Sequence, residues 1–148
     1  MSSPQSTQEL LDTIAYVAWH GISVREQREG WVQVVLPARD DLVNYVGTGH
    51  AGALYTLAET AGGVAADSLA QTLNAFILLR QASVKYTRRA VGELLATGEV
   101  DEHSSVTAKA QFADEGRADL VVRVVIHDTE SKPVFEGSFD YALRPRKV

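Results

Sequence analysis

In the stretch GTGHAGALYTLAETAGGVAAD, residues 47–67, Glu59 is the single permanently charged side chain between Gly47 and Ala66. A Gly-rich turn leads into a helical pattern of small residues, and the carboxylate stands in the middle of it. Desolvation disfavours the charged form of a carboxyl, so an apolar wall raises its pKa and makes it a stronger base. Such a group can take a proton from water or attack an electrophilic carbon. The same stretch holds a second chemical element. The first N–H groups of a helix have no partner within it, and with the helix dipole they favour negative charge. Gly47, Gly49 and Gly52 let a substrate approach that backbone closely. The alternative for Glu59 is a helix residue that reaches solvent or pairs with an arginine. His50 and Asn44 are equally compatible with cap and turn roles.

Composition narrows the chemistry. The 148 residues contain no cysteine, which removes disulfides, thiolate catalysis and Cys-based zinc or iron–sulfur sites. The formal net charge of −5 argues against nucleic acid or an anionic membrane surface as partner. No window reaches the roughly 20 apolar residues that span a bilayer, and the N-terminus lacks the basic and apolar regions of a signal peptide. A cytoplasmic location is expected. His20, His103 and His127 are scattered without ligand spacing and read as surface residues, so no metal is expected. No Walker, Rossmann or GxSxG fingerprint occurs.

The elements that must position Glu59 follow from periodicity. In residues 1–20, Leu10, Leu11, Ile14, Val17 and Ala18 share one helical face. Ser6 with Glu9 suggests a capping box and Gly21 a stop. Residues 22–37 read as extended chain with a turn at Glu29-Gly30, ending at Pro37. A charged, Gly-punctuated loop precedes the central helix, expected over 49–70. Its sides are nearly all Ala, Gly and Leu, so it must be enclosed. From 73 to 145 the period changes to two, predicting five antiparallel strands, among them Val106, Ala108, Ala110 and Phe112 alternating with Thr107, Lys109 and Gln111. The fold class is α+β: one domain over 1–148, with a curled antiparallel sheet around one helix.

This order of elements, with Asn44, the turn GTGHAG and the helical Glu59, resembles the hotdog-fold acyl-CoA thioesterases of the phenylacetate-degradation type. There an asparagine is followed by a His-Gly-Gly turn and then by a helical Asp or Glu. The resemblance extends from about Trp31 to Arg144. It implies hydrolysis of an acyl-CoA thioester to a carboxylic acid and free thiol, with coenzyme A as part of the substrate and no other cofactor. Glu59 matches the catalytic carboxylate, His50 the turn histidine and Asn44 the upstream asparagine. The backbone N–H of Ala51, aided by Gly52, matches the oxyanion donor. Ala51 stands where the family has the first glycine of its pair. The hydroxyl that the family carries on the following strand has no match at Leu79 or Arg80, and Ser83 is the nearest. Lys85, Arg88 and Arg89 are candidates for the coenzyme A phosphates, with a solvated strand end as the alternative. A hydratase or dehydratase on the same fold, or a non-catalytic acyl-thioester binding protein, are the other readings.

Glu59 lies nine residues after His50, about 13 Å along the helix axis and on the opposite side. One chain cannot bring both to a single carbonyl, whereas a two-fold axis can. A homodimer with shared sites is therefore expected, and a tetramer by analogy with the family.

Overall fold

The computed structural model describes residues 3–146. The first two residues of the expected N-terminal helix and the last two of the chain lie outside them. α1 (Pro4–Thr13) and α2 (Ala15–Trp19) precede a hairpin of β1 (Ser23–Arg28) and β2 (Trp31–Leu36). The central helix α3 (Ala51–Thr72) is followed by β3 (Ala75–Tyr86), β4 (Leu94–Val100), α4 (Glu102–Glu115), β5 (Ala118–His127) and β6 (Pro133–Pro145). The strands form one six-stranded sheet in the order β1-β2-β4-β5-β6-β3, and each neighbouring pair is antiparallel.

The sheet curls around α3, which is the hotdog arrangement. Alternation along each strand supplies the inner face: Val32 and Val34 from β2, Ala96 from β4, Leu120, Val122, Val124 and Ile126 from β5, Phe139 and Leu143 from β6, all buried. α3 answers with residues that are small enough to let the backbone of the sheet come near. A Cβ on Gly98 of β4 would stand 2.7 Å from the carbonyl oxygen of Ala61. The β1–β2 turn falls at Gly30, whose φ of +73° needs glycine. Its N–H donates to Ser68 Oγ at 2.7 Å and ties the hairpin to the far end of α3.

Three sequence expectations are corrected here. First, residues 102–115 form a helix rather than a strand, so four strands follow α3 instead of five. The alternating pattern was real but was not what packs. The covered residues are Ser104, Ser105, Ala108, Lys109, Gln111 and Phe112, a three-and-four spacing. Asp101 caps the helix start by accepting from the Ser104 N–H at 3.0 Å, and Gly116 ends it at φ +70°. α4 lies alongside β5 where β4 has stopped. There Ser104 Oγ accepts the Val121 N–H at 3.0 Å.

Second, the N-terminal helix is divided at Ile14, which leaves helical geometry at φ −92°, ψ 97°. Just before it, the Thr13 hydroxyl donates to the Leu10 carbonyl at 2.6 Å, the kind of local bond that competes with helix continuation. The capping box joins Ser3 and Ser6 rather than Ser6 and Glu9. Third, His20 is buried, not a surface residue. Its Nδ1 donates to the Tyr16 carbonyl at 2.8 Å, and its ring meets Trp19 edge-on.

Candidate active site

Glu59 sits at the middle of α3, half-buried and facing a groove between α3 and α1. Leu10, Leu11, Ile14 and Val17 form one wall, Gly63 and Val64 the floor, and Ile77 of β3 closes a side. The groove has a volume of about 260 Å³. Burial pushes the carboxyl above its ordinary value, and a hydrogen bond from Tyr141 pulls it part of the way back.

That tyrosine is the neighbour of Glu59 absent from the sequence expectations. Tyr141 of β6 is 1% exposed, and its hydroxyl donates to Glu59 Oε2 at 3.0 Å. Burial first, and then the Glu59 charge, push the phenol far above the usual tyrosine range, so it keeps its proton and remains a donor. A signal existed in the sequence. Phe139, Tyr141 and Leu143 alternate inward, and a buried tyrosine hydroxyl needs a partner. Gly62 and Gly63 make room for the pair. A Cβ on Gly62 would be 2.8 Å from the Tyr141 hydroxyl, and one on Gly63 would be 3.3 Å from Glu59 Oε2.

The start of α3 is a second, separate region. His50 is its N-cap, with Nδ1 accepting the Gly52 N–H at 2.8 Å, which leaves the proton of the neutral ring on Nε2. The Gly52 N–H is thus engaged by the cap, whereas that of Ala51, in the first turn, has no acceptor among the described residues. Asn44 spends its side chain on the loop that leads to this turn. Its Oδ1 accepts from the N–H groups of Val46 and Thr48, each at 3.1 Å, and its Nδ2 donates to Thr48 Oγ1 at 3.0 Å. Asn44 therefore shapes the loop, and Thr48 shares that task. Tyr86 donates to the Ala51 carbonyl at 3.0 Å and fixes the helix start against β3.

The remaining candidates divide. Arg88 and Arg89 line the same concavity as Asn44, Thr48, Ala51 and Tyr86, beside the helix start. Lys85 and Ser83 line a different one on the outer face of the sheet, with Arg123 and Glu136. Neither concavity includes Glu59, whose groove in turn includes neither His50 nor Ala51. Within one chain the carboxylate and the helix-start donor belong to different faces of α3, as their spacing requires. Among the described residues no three His, Asp or Glu side chains gather as a metal site, and no helix is long and apolar enough to cross a membrane.

Comparison with known proteins agrees with the fold. A family model described as "Domain of unknown function (DUF4442)" matches residues 7–143. A Halobacterium salinarum protein named a "putative esterase" is 29% identical over 110 residues, covering 72% of this chain and 73% of that protein. A Pseudomonas aeruginosa structure, of a protein of unknown function described as a probable thioesterase, superposes with a TM-score of 0.85 at 22% identity, over 96% of this chain and 95% of that one. The Escherichia coli PaaI protein, from the phenylacetic acid degradation operon, superposes with a TM-score of 0.72 at 18% identity, over 95% and 94% of the two chains.

Proposed function

The chain belongs to the DUF4442 family, and from its own site we propose that it hydrolyses acyl-CoA thioesters. The observation that carries this reading is the Glu59–Tyr141 pair: a half-buried carboxylate of raised pKa, one oxygen held by a buried tyrosine, beside an apolar groove. With Oε2 held, the carboxylate meets an acyl carbonyl in a fixed orientation. It acts as general base, taking a proton from water as the water oxygen attacks the thioester carbon, or as nucleophile through a mixed anhydride that water then opens. In either route the carbonyl oxygen becomes negative and then re-forms its double bond as the thiolate leaves. The esterase and thioesterase names among its relatives accord with this class of reaction.

The oxyanion donor on this reading is the Ala51 N–H of a second copy. β3 supplies the place for that copy. It is an edge of the sheet, and it exposes Leu78 and Leu79 at 55% and 38%. Ile77, on the same strand, already borders the Glu59 groove. A copy added along β3 would therefore adjoin the carboxylate. Arg88 and Arg89, next to Ala51, are placed to meet the phosphates of coenzyme A on the copy that provides the donor.

Glu59→Gln tests the reading, because it keeps the shape and the acceptor for Tyr141 while removing charge and basicity. Release of free thiol from acyl-CoA should fall by a factor on the order of 10² to 10⁴, as for the loss of a general base. Hydrolysis at the wild-type rate by the folded variant would remove Glu59 from the mechanism.

A further inference from the structure

We infer that the acyl group is neutral and of medium length, and that it lies under α1 and α2 with its far end at Asp67. This rests on the thioesterase reading above and identifies the substrate class for that site.

Glu59, Gly63 and Asp67 are spaced by four residues, so they form one stripe along α3. All three line the groove, and from Glu59 to Asp67 the stripe runs about 12 Å. Opposite it, Leu10 of α1, Ile14 at the break and Val17 of α2 present an apolar wall. Leu10 and Ile14 are 50% and 43% exposed, a large solvent-facing area for apolar side chains beside a carboxylate. A bound chain would cover them. Gly63 keeps the floor of the groove low between the two carboxylates. A Cβ there would come within 3.3 Å of Glu59 Oε2 and 3.9 Å of Ile77 Cδ1, in the space that the first carbons of an acyl chain need.

Charge disfavours acyl groups that end in a carboxylate. Among the described residues no lysine or arginine lines this groove, and its two charged groups are both carboxylates. An acyl chain ending in a carboxylate would place like charge beside Asp67 in partly desolvated surroundings, which is unfavourable. A very short acyl group would leave the wall of α1 wet. Each methylene that leaves water for this wall should raise kcat/KM by about three- to fourfold until the groove is filled.

The experiment is a thiol-release series on the full chain with acetyl-, butyryl-, hexanoyl-, octanoyl-, decanoyl- and sebacyl-CoA, repeated with Asp67→Lys. Among the described residues Asp67 accepts a hydrogen bond from Gln71 alone, at 2.7 Å, and its side chain is not part of the core, so its replacement leaves the core intact. The expected result is a kcat/KM that climbs from acetyl to the medium chains, with poor turnover of the sebacyl group. In Asp67→Lys the sebacyl-to-decanoyl ratio should rise by about tenfold or more, as an unfavourable contact becomes a favourable one. A flat or falling wild-type series would overturn the inference while leaving the thioesterase reading in place. So would an unmoved ratio in the variant. No release from any acyl-CoA would overturn both. The wild-type series decides the matter even if the variant fails to fold.

Discussion

Of the two oxygens of Glu59, one is committed to Tyr141, and the reactivity of the carboxylate follows from that bond and from the apolar wall. The groups that face it are Tyr141 from β6, Tyr55 and Asp67 from α3, and Gln27 from β1, while α1 contributes only uncharged side chains. Burial raises the pKa and the tyrosine lowers it, so Tyr141→Phe removes the lowering influence. The acid limb of the kcat/KM profile should therefore shift to higher pH in Tyr141→Phe. An unmoved limb would mean that the tyrosine serves packing alone. The same raised pKa fixes a stability profile. A carboxyl whose folded-state pKa is raised binds its proton more tightly when folded, so its contribution is present at low pH and is lost as the pH rises through the folded value. Glu59→Gln should accordingly melt higher than the wild type near neutral pH, and the difference should vanish below the ordinary carboxyl value of 4.5. A variant that is less stable near neutral pH would instead mark Glu59 as a structural partner.

At the scale of elements, the fit between α3 and the sheet depends on residues that have no side chain. Gly98 is the clearest case, because an added Cβ meets backbone at 2.7 Å and 2.8 Å rather than a movable side chain. Gly98→Ala must push α3 away from β4, and the expected cost is at the upper end for overpacking, about 3 kcal/mol. Urea unfolding measures it, and a midpoint equal to the wild type would show that the helix can shift freely. These contacts also explain which parts of the architecture were legible in the sequence. The enclosure of α3 was readable from its lack of a polar face, and the hairpin from the turn signal Glu29-Gly30 within extended chain. Glu59 stood out because nothing near it is charged. α4 was not legible, since alternation over 106–112 matches a strand as well as the observed packing matches a helix. The caps at Asp101 and Gly116 were the distinguishing signs, and they are local where the alternation looked global. Tyr141 was hidden for another reason: its partner lies on a different element, and strand periodicity identifies the face of a residue but not what it meets there. The break at Ile14 likewise arises where a threonine hydroxyl competes for a carbonyl, which hydrophobic spacing does not register.

For the whole molecule, the two edges of the sheet are unequal. β1 carries Arg25, Glu26 and Arg28, charges of the kind that discourage further pairing, whereas β3 exposes leucines. Sedimentation should find a dimer at least. The double substitution Leu78→Lys with Leu79→Lys should give a folded monomer that releases no thiol. A monomer with full activity would end the shared-site model. The Tyr141–Glu59 bond has a further consequence, which concerns the path to the folded state. It joins residues 82 apart in the chain. α3 can coil and the β1–β2 hairpin can close through near neighbours, but this contact requires β6 to have crossed the sheet and entered between β5 and β3. Bringing such distant segments together carries a loop-closure entropy that local contacts do not bear. A compact chain with its helices formed but β6 not yet docked would hold Glu59 without a donor and with one side of its surroundings missing. The carboxylate thus acquires its tyrosine donor and its raised pKa only when the sheet is complete.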